Sequence, residues 1–244
     1  MPPSSPGEPH LFVDFDGTIS TVDIGYDLFL RFGRVEPWIT DLIEGRVGIR
    51  DYWHGVAKAF VPPSQQGLDD YLLSTPIDPG AHDLVAFARA ASIPLMVVSD
   101  GIDYYVRRYL ELNGLGDLPL RCNAGWLEDG DGGARLRIAF PDAVEGCACL
   151  TAACKRNIVL SNTPPNGRII YIGDGISDHC PAEHADVIFA RDRLAAYCNA
   201  QRLPHYPFRA LNDVVRRLRA ILSRNRLRER HQAAMKRKRA WEGE

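Results

Sequence analysis

Three short apolar runs in this chain each stop at a polar turn that contains glycine. They are His10-Leu-Phe-Val13 before Asp14-Phe-Asp16-Gly17-Thr18, Ile93-Pro-Leu-Met-Val-Val98 before Ser99-Asp100-Gly101, and Arg168-Ile-Ile-Tyr-Ile172 before Gly173-Asp174-Gly175-Ile-Ser177-Asp178. Runs this short and this apolar read as strands buried on both faces, which is the habit of parallel sheets. Segments with helical apolar spacing separate them. Strands alternating with helices predict an α/β fold, a Rossmann-like parallel sheet flanked by helices. In such open sheets ligands collect at the carboxyl ends of strands, where all three turns fall.

The first strand is followed by about 60 residues without another. Residues 22–33, 36–44, 48–60 and 65–74 each carry helical spacing, broken by Gly33, Gly45, Val-Pro-Pro-Ser and Ser-Thr-Pro. This predicts a small all-helical insertion after the first strand. Helices are expected at 80–91, 102–113, 151–161, 178–184, 192–201 and 208–223, with a hairpin formed by 119–127 and 134–140 and a short strand at 186–189. The implied organisation is a flexible lead-in at 1–9, a core made of 10–20 and 78–223, a helical insertion at 21–77 and a basic helical tail at 224–244.

Composition excludes the extreme classes. The chain is 45% hydrophobic and 25% charged with a net charge of −2, ordinary values for a globular protein that can build a core. The charge is unevenly placed. Residues 216–244 hold 11 Lys and Arg against 3 Asp and Glu, a net of +8, while residues 1–215 carry −10. With no aromatic residue interleaved among its basic ones for base stacking (Trp241 lies beyond the last of them), the basic end reads as a solvated terminal helix rather than a nucleic-acid or membrane surface. The first ten residues do not resemble a signal peptide and no apolar run has the length of a membrane span, so the cytoplasm is the expected location. Six cysteines, Cys122, Cys147, Cys149, Cys154, Cys180 and Cys198, are expected mainly as thiols. The dense spacing Cys147-x-Cys149-x4-Cys154 leaves a structural zinc, completed by Cys122 or Cys180, or an oxidative disulfide as alternatives. Monomer and homodimer both remain open.

Two carboxylates at i and i+2, as in Asp14 and Asp16, repel one another unless a cation lies between them, which points to bound Mg²⁺. For this string alone, a polar turn closing a strand and a calcium loop are rival readings. The other turns favour a phosphate site. A transferring phosphoryl group spreads negative charge over its outer oxygens, so catalysis is mainly positioning and charge stabilisation. Lys155 offers a positive charge, Ser99 a hydroxyl, and the Asp100 and Gly101 amides lie at a helix start suited to anions. The metal would be held by Asp14, the Asp16 carbonyl and Asp174, with Asp178 holding a metal-bound water.

Asp-x-Asp-Gly-Thr, a strand-end Ser, a later Lys and Gly-Asp-Gly-x-Ser-Asp, in this order, resemble the haloacid dehalogenase superfamily. The four motifs span residues 14–178. The resemblance implies that Asp14 is a nucleophile forming an aspartyl phosphate and that Asp16 first protonates the leaving oxygen and then activates water. It also implies that the insertion is a cap that selects the substrate. An acid at position 16 separates phosphatases and phosphomutases from dehalogenases. Within the superfamily the chain is similar to the phosphoserine-phosphatase-like branch. Cys-x4-Cys154-Lys155 and Phe189-Ala-Arg-Asp-Arg-Leu194 resemble methionine-salvage 2-hydroxy-3-keto-5-methylthiopentenyl-1-phosphate phosphatases. Gly-Asp-Gly-x-x-Asp178-x-Cys180-Pro181 resembles phosphocholine and phosphoethanolamine phosphatases.

The expected activity is Mg²⁺-dependent hydrolysis of a small phosphorylated metabolite. An intramolecular phosphomutase and a non-catalytic binder using the basic tail are the competing functions. Asp23, Tyr26, Arg50, Trp53 and His54 are candidate substrate contacts from the cap.

Overall fold

Leu11, Phe12 and Val13 are apolar in succession, and all three are buried in β1 (Pro9–Val13), the middle strand of the sheet. In the computed structural model, which describes residues 7–130, 133–144, 151–224 and 227–242, β1 lies parallel to β2 (Leu95–Ile102) and β5 (Arg168–Gly173). The sheet continues through β3 (Leu120–Glu128) and β4 (Arg135–Ala139) on one side and β6 (Val187–Ala190) and β7 (Tyr206–Pro207) on the other. The order is β4-β3-β2-β1-β5-β6-β7, and only the β3–β4 hairpin is antiparallel. β7, two residues long, was too short to show a period in the sequence.

Four helices follow β1: α1 (Ile24–Phe32), α2 (Trp38–Ile43), α3 (Ile49–Ala59) and α4 (Gln65–Ser74). Phe29 packs against Trp53 and Phe60, with ring centroids 5.6 and 5.0 Å away, and these rings join the core cluster beneath the sheet. The chain leaves and re-enters the sheet layer side by side. Ser20 bridges Ile77, Thr21 N–H donates to Pro76 O at 3.1 Å, and Asp78 N–H to Ile19 O at 2.8 Å. This is a helical cap inserted after the first strand.

The remaining helices are α5 (Ala81–Ala90), α6 (Asp103–Leu112), α7 (Lys155–Ser161), α8 (His179–His184), α9 (Asp192–Ala200), α10 (Leu211–Ser223) and α11 (His231–Glu242). Alternation along β1 divides them between two faces. Leu11 and Val13 join the cluster that holds α5, α6, α10 and the cap, whereas Phe12 joins α7, α8 and α9. α10 buries Leu211, Val214, Val215, Leu218 and Ile221, the spacing of one helical stripe. α7 begins at Lys155, four residues later than its apolar spacing predicts. The preceding amides are already committed: Cys154 N–H donates to Asp142 O and Ala153 N–H to Asp100 Oδ1.

The basic tail corrects the expectation of a solvated helix. α11 docks on α8, burying Ala233, with Leu227 buried just before it. The physical reason is the unpaired carbonyl end of α8, which attracts donors. Arg230 supplies them to Ala182, Glu183 and Ala185 at 3.0, 2.6 and 2.8 Å. Arg237 donates to His184 O at 2.7 Å and pairs with Asp186 at 3.1 Å, and Lys236 pairs with Glu183 at 2.5 Å. Arg230, Lys236 and Arg237 therefore use their charge inside the molecule. Cys122, Cys154, Cys180 and Cys198 form no disulfide among the described residues, and Cys147 and Cys149 lie outside them.

Replacing Arg230 with Ala removes a donor from three carbonyls, of which Ala182 O keeps the Ala185 N–H. Unfolding free energy should fall by about 2 kcal/mol, measured as a lower urea midpoint at unchanged slope.

Candidate active site

Asp14 is the residue at which β1 ends, pinned by its N–H to Ile172 O of β5 at 2.9 Å and 4% exposed. The turn after it reverses at Gly17, whose φ of +77° is natural for glycine and strained for other residues. A side chain there would also collide with the Asp174 carboxylate. From the next layer Lys155, only 1% exposed, enters as the first residue of α7. Its Nζ donates to Asp14 Oδ1 at 2.5 Å, Asp178 Oδ1 at 2.8 Å and Ser177 Oγ at 2.9 Å. Asp178 Oδ1 also accepts from the Tyr171 hydroxyl at 2.6 Å, and Oδ2 from the amides of Asp174 and Gly175 at 2.9 Å each. Asp174 Oδ1 accepts from Thr18 Oγ1 at 2.8 Å.

Asp14, Asp174 and Asp178 place carboxylate oxygens within 4.8 Å of one another around this single ammonium. With all three ionised, two negative charges are left over. Burial, then Asp178, drives the Asp14 acid well above the carboxylate range; the same two causes raise Asp174. Asp178 goes the other way, because Lys155 and its other donors outweigh the burial that would raise it. Burial opposes the charge on Lys155, but Asp14 and Asp178 overcome it and hold the ammonium protonated. A hard, all-oxygen donor set with this excess charge fits a divalent cation. Among the described residues it is the one such cluster; Cys147 and Cys149, on which the zinc alternative rests, lie outside them. Within this set Asp178 accepts from Lys155, Tyr171 and two amides, which tie it to α7 and to the turn after β5.

Asp16 is held apart from this cluster. Its Oδ1 accepts from the Ile24 and Gly25 amides at the start of α1, at 2.9 and 3.4 Å, and Oδ2 from the Tyr105 hydroxyl at 2.9 Å. Burial, reinforced by Asp23, pushes its acid up to about 8, so near neutral pH it carries a proton it can give.

The second turn is tied to the lysine. Asp100 Oδ1 accepts from Ala153 N–H at 2.7 Å, and its carbonyl from the Asn123 amide at 2.6 Å, which fixes the loop that delivers Lys155. Burial lifts the Asp100 acid to about 7. Ser99 lines the site, with its Oγ accepting from Gly101 N–H at 2.9 Å.

These groups form the floor of a cleft of about 1010 Å³ between cap and sheet. Of the five cap candidates, Asp23, Tyr26 and Trp53 line it. Arg50 and His54 do not: both are exposed on α3, and His54 rests on Phe140 with ring centroids 5.2 Å apart. Helical spacing alone could not tell which side of α3 faces inward. Four neighbours were not singled out in the sequence: Thr18, Tyr105, Tyr171 and Arg191. Arg191 donates from Nε and Nη2 to Gly17 O, the former at 2.9 Å, and pairs with Asp78 at 3.5 Å. Its place in the Phe189-Ala-Arg-Asp string was the signal that could have found it.

A profile of the haloacid dehalogenase-like hydrolases matches residues 11–183. The 2-hydroxy-3-keto-5-methylthiopentenyl-1-phosphate phosphatase of Geobacillus thermodenitrificans is 35% identical over 220 residues, 86% of this chain and 96% of its own. The protein of the same name from Brevibacillus brevis is 32% identical over 218 residues, 86% and 95% of the two chains. Among solved structures, a probable phosphoserine phosphatase from Vibrio cholerae superposes with a TM-score of 0.64 at 18% identity, covering 91% of this chain and 68% of that one. A phospho-aspartyl intermediate analogue of phosphoserine phosphatase gives 0.61 at 16% identity, with 87% and 99% covered.

Asp14, Asp16, Asp100 and Asp174 all bind protons more tightly folded than unfolded. Their contribution is full below the unfolded carboxylate range and is lost as pH rises towards the folded values of about 7 for Asp100 and about 8 for Asp16. The metal-free protein should therefore lose roughly 5 °C or more in Tm between pH 5 and 8. Adding a divalent cation at pH 8 should restore most of it. Scanning calorimetry with and without the cation checks both.

Proposed function

The chain belongs to the haloacid dehalogenase-like hydrolases and is a phosphatase of that type, and we propose that it hydrolyses a small phosphate monoester with Mg²⁺ as cofactor. The observation that carries this is the convergence of Asp14 and Asp174, at the ends of adjacent strands, with Lys155 from the start of α7, and with the proton-bearing Asp16 two residues from Asp14. A core needs none of these charges for packing.

In the proposed reaction the phosphate enters between Asp14 and Ser99. Asp14 attacks phosphorus, the ester oxygen departs, and Asp16 gives that oxygen its proton. The carboxylate of Asp16 then takes a proton from a water that attacks phosphorus, which breaks the acyl phosphate and returns Asp14 with inorganic phosphate. Lys155 offsets charge on the phosphoryl oxygens while remaining anchored by Asp178. Asp14 and Asp174 would hold the Mg²⁺, which when bound reduces the repulsion between an anionic nucleophile and an anionic substrate.

We assign residues 10–20 and 78–223 to the catalytic core and 21–77 to the cap. Val22, Ile39, Leu42, Tyr52 and Trp53 give the cleft an apolar wall on the cap side. This wall and the names of the relatives make 2-hydroxy-3-keto-5-methylthiopentenyl-1-phosphate the first substrate to test, within a panel of small phosphate esters. The location expected for such a metabolic enzyme is the cytoplasm; no described helix is long and apolar enough to cross a membrane.

The Asp14→Asn variant should lose at least about 10³-fold in phosphate release from a generic aryl phosphate. Chelation should silence the wild-type enzyme and Mg²⁺ should revive it. Wild-type turnover by Asp14→Asn would sink the aspartyl-phosphate mechanism.

A further inference from the structure

Tyr105 is buried without measurable exposure, yet its hydroxyl is not spent on packing. It donates to Asp16 Oδ2 at 2.9 Å, across 89 residues of chain. Two glycines make room for that oxygen. A methyl group on Gly25, in the first turn of α1, would sit 2.6 Å from it, and one on Gly101, in the turn that contains Ser99, would collide with it. The Gly101 methyl would also come within 3.1 Å of Asp16 Oδ2. The slot is thus cut from three segments at once: the cap's first helix, the second strand-end turn and α6.

We propose that Tyr105 is a positioning residue for the proton-transfer acid. It fixes the plane of the Asp16 carboxyl group by holding Oδ2, while the Ile24 and Gly25 amides hold Oδ1. A carboxyl group on a single rotatable Cβ–Cγ bond otherwise turns freely, because that torsion is broad. Proton transfer to a leaving oxygen requires hydrogen-bond reach at the moment the ester bond breaks, so a carboxyl that turns freely loses the geometry although it retains the proton. The tyrosine hydroxyl donates to Oδ2 and so leaves the carboxyl proton available to the leaving oxygen.

The inference rests on the proposed role of Asp16, and leaving-group dependence separates the two. An aryl phosphate expels a weakly basic oxygen that needs little help; an alkyl phosphate expels a strongly basic one that needs the proton. Tyr105→Phe, which keeps the buried ring, should lower kcat for an alkyl phosphate by roughly 10-fold and for p-nitrophenyl phosphate by less than about 3-fold, with KM nearly unchanged. In an Asp16→Asn background the same substitution should cost nothing further on the alkyl ester. Gly25→Ala, which leaves both side chains chemically intact but crowds the hydroxyl, should reproduce the selective loss and covers the case of a poorly folding Tyr105→Phe.

Equal losses on the two esters, or no loss on either, would overturn the role of Tyr105 while leaving that of Asp16 intact. If Asp16→Asn itself shows no preference between the esters, Asp16 is not the acid and both ideas fall.

Discussion

One buried ammonium holds the site together. Lys155 ties Asp14 at the end of β1 to Asp178 after β5, and it reaches them from a helix on the Phe12 face of the sheet. Burial alone would strip it of its proton, so its charge exists because the carboxylates are there. The dependence is mutual: without the lysine, three acids would crowd one small volume. Removing one partner of such a cluster leaves the remaining charges uncompensated, which is far more costly than never having assembled it. The strand ends, the turn at Gly17 and the loop before α7 are therefore constrained by a single electrostatic knot.

Around this knot the roles are divided by environment rather than by residue type. Four aspartates meet here, but strong donors keep Asp178 ionised, while burial and the Asp178 charge raise the acids of Asp14 and Asp174. Asp16 is turned away towards the cap and keeps its proton. Pairs of carboxyl groups pushed apart in acidity are the usual means by which one site runs nucleophilic and acid–base steps together.

The sheet and the acids were legible because they rest on local signals. Unbroken apolar runs such as Leu11-Phe-Val13 specify buried parallel strands, and carboxylates followed by glycine mark where those strands end. Lys155 was legible from its place in the order of motifs; in isolation it is a helix lysine like any other. What stayed hidden depends on contacts between distant segments. Tyr105 and Tyr171 read as core aromatics until the fold sets a carboxylate against each hydroxyl. Arg50 and His54 share a helix with Trp53, and only the packing of α3 on Phe29 decides that the tryptophan faces inward. The basic tail misled for a related reason: its charge suggested solvent, and the acceptors that bind it lie on α8, about fifty residues earlier.

That docked tail bears on how the protein is made. α8 follows directly from the turn that carries Asp178, yet its carbonyl end waits for Arg230, which leaves the ribosome 45 residues after Ala185. During synthesis the strands and the lysine helix can associate while this end of the layer is still served by water. Once Arg230 and Arg237 have emerged, α11 acts as a clasp on this end of the layer, joining it to the catalytic half of the sheet.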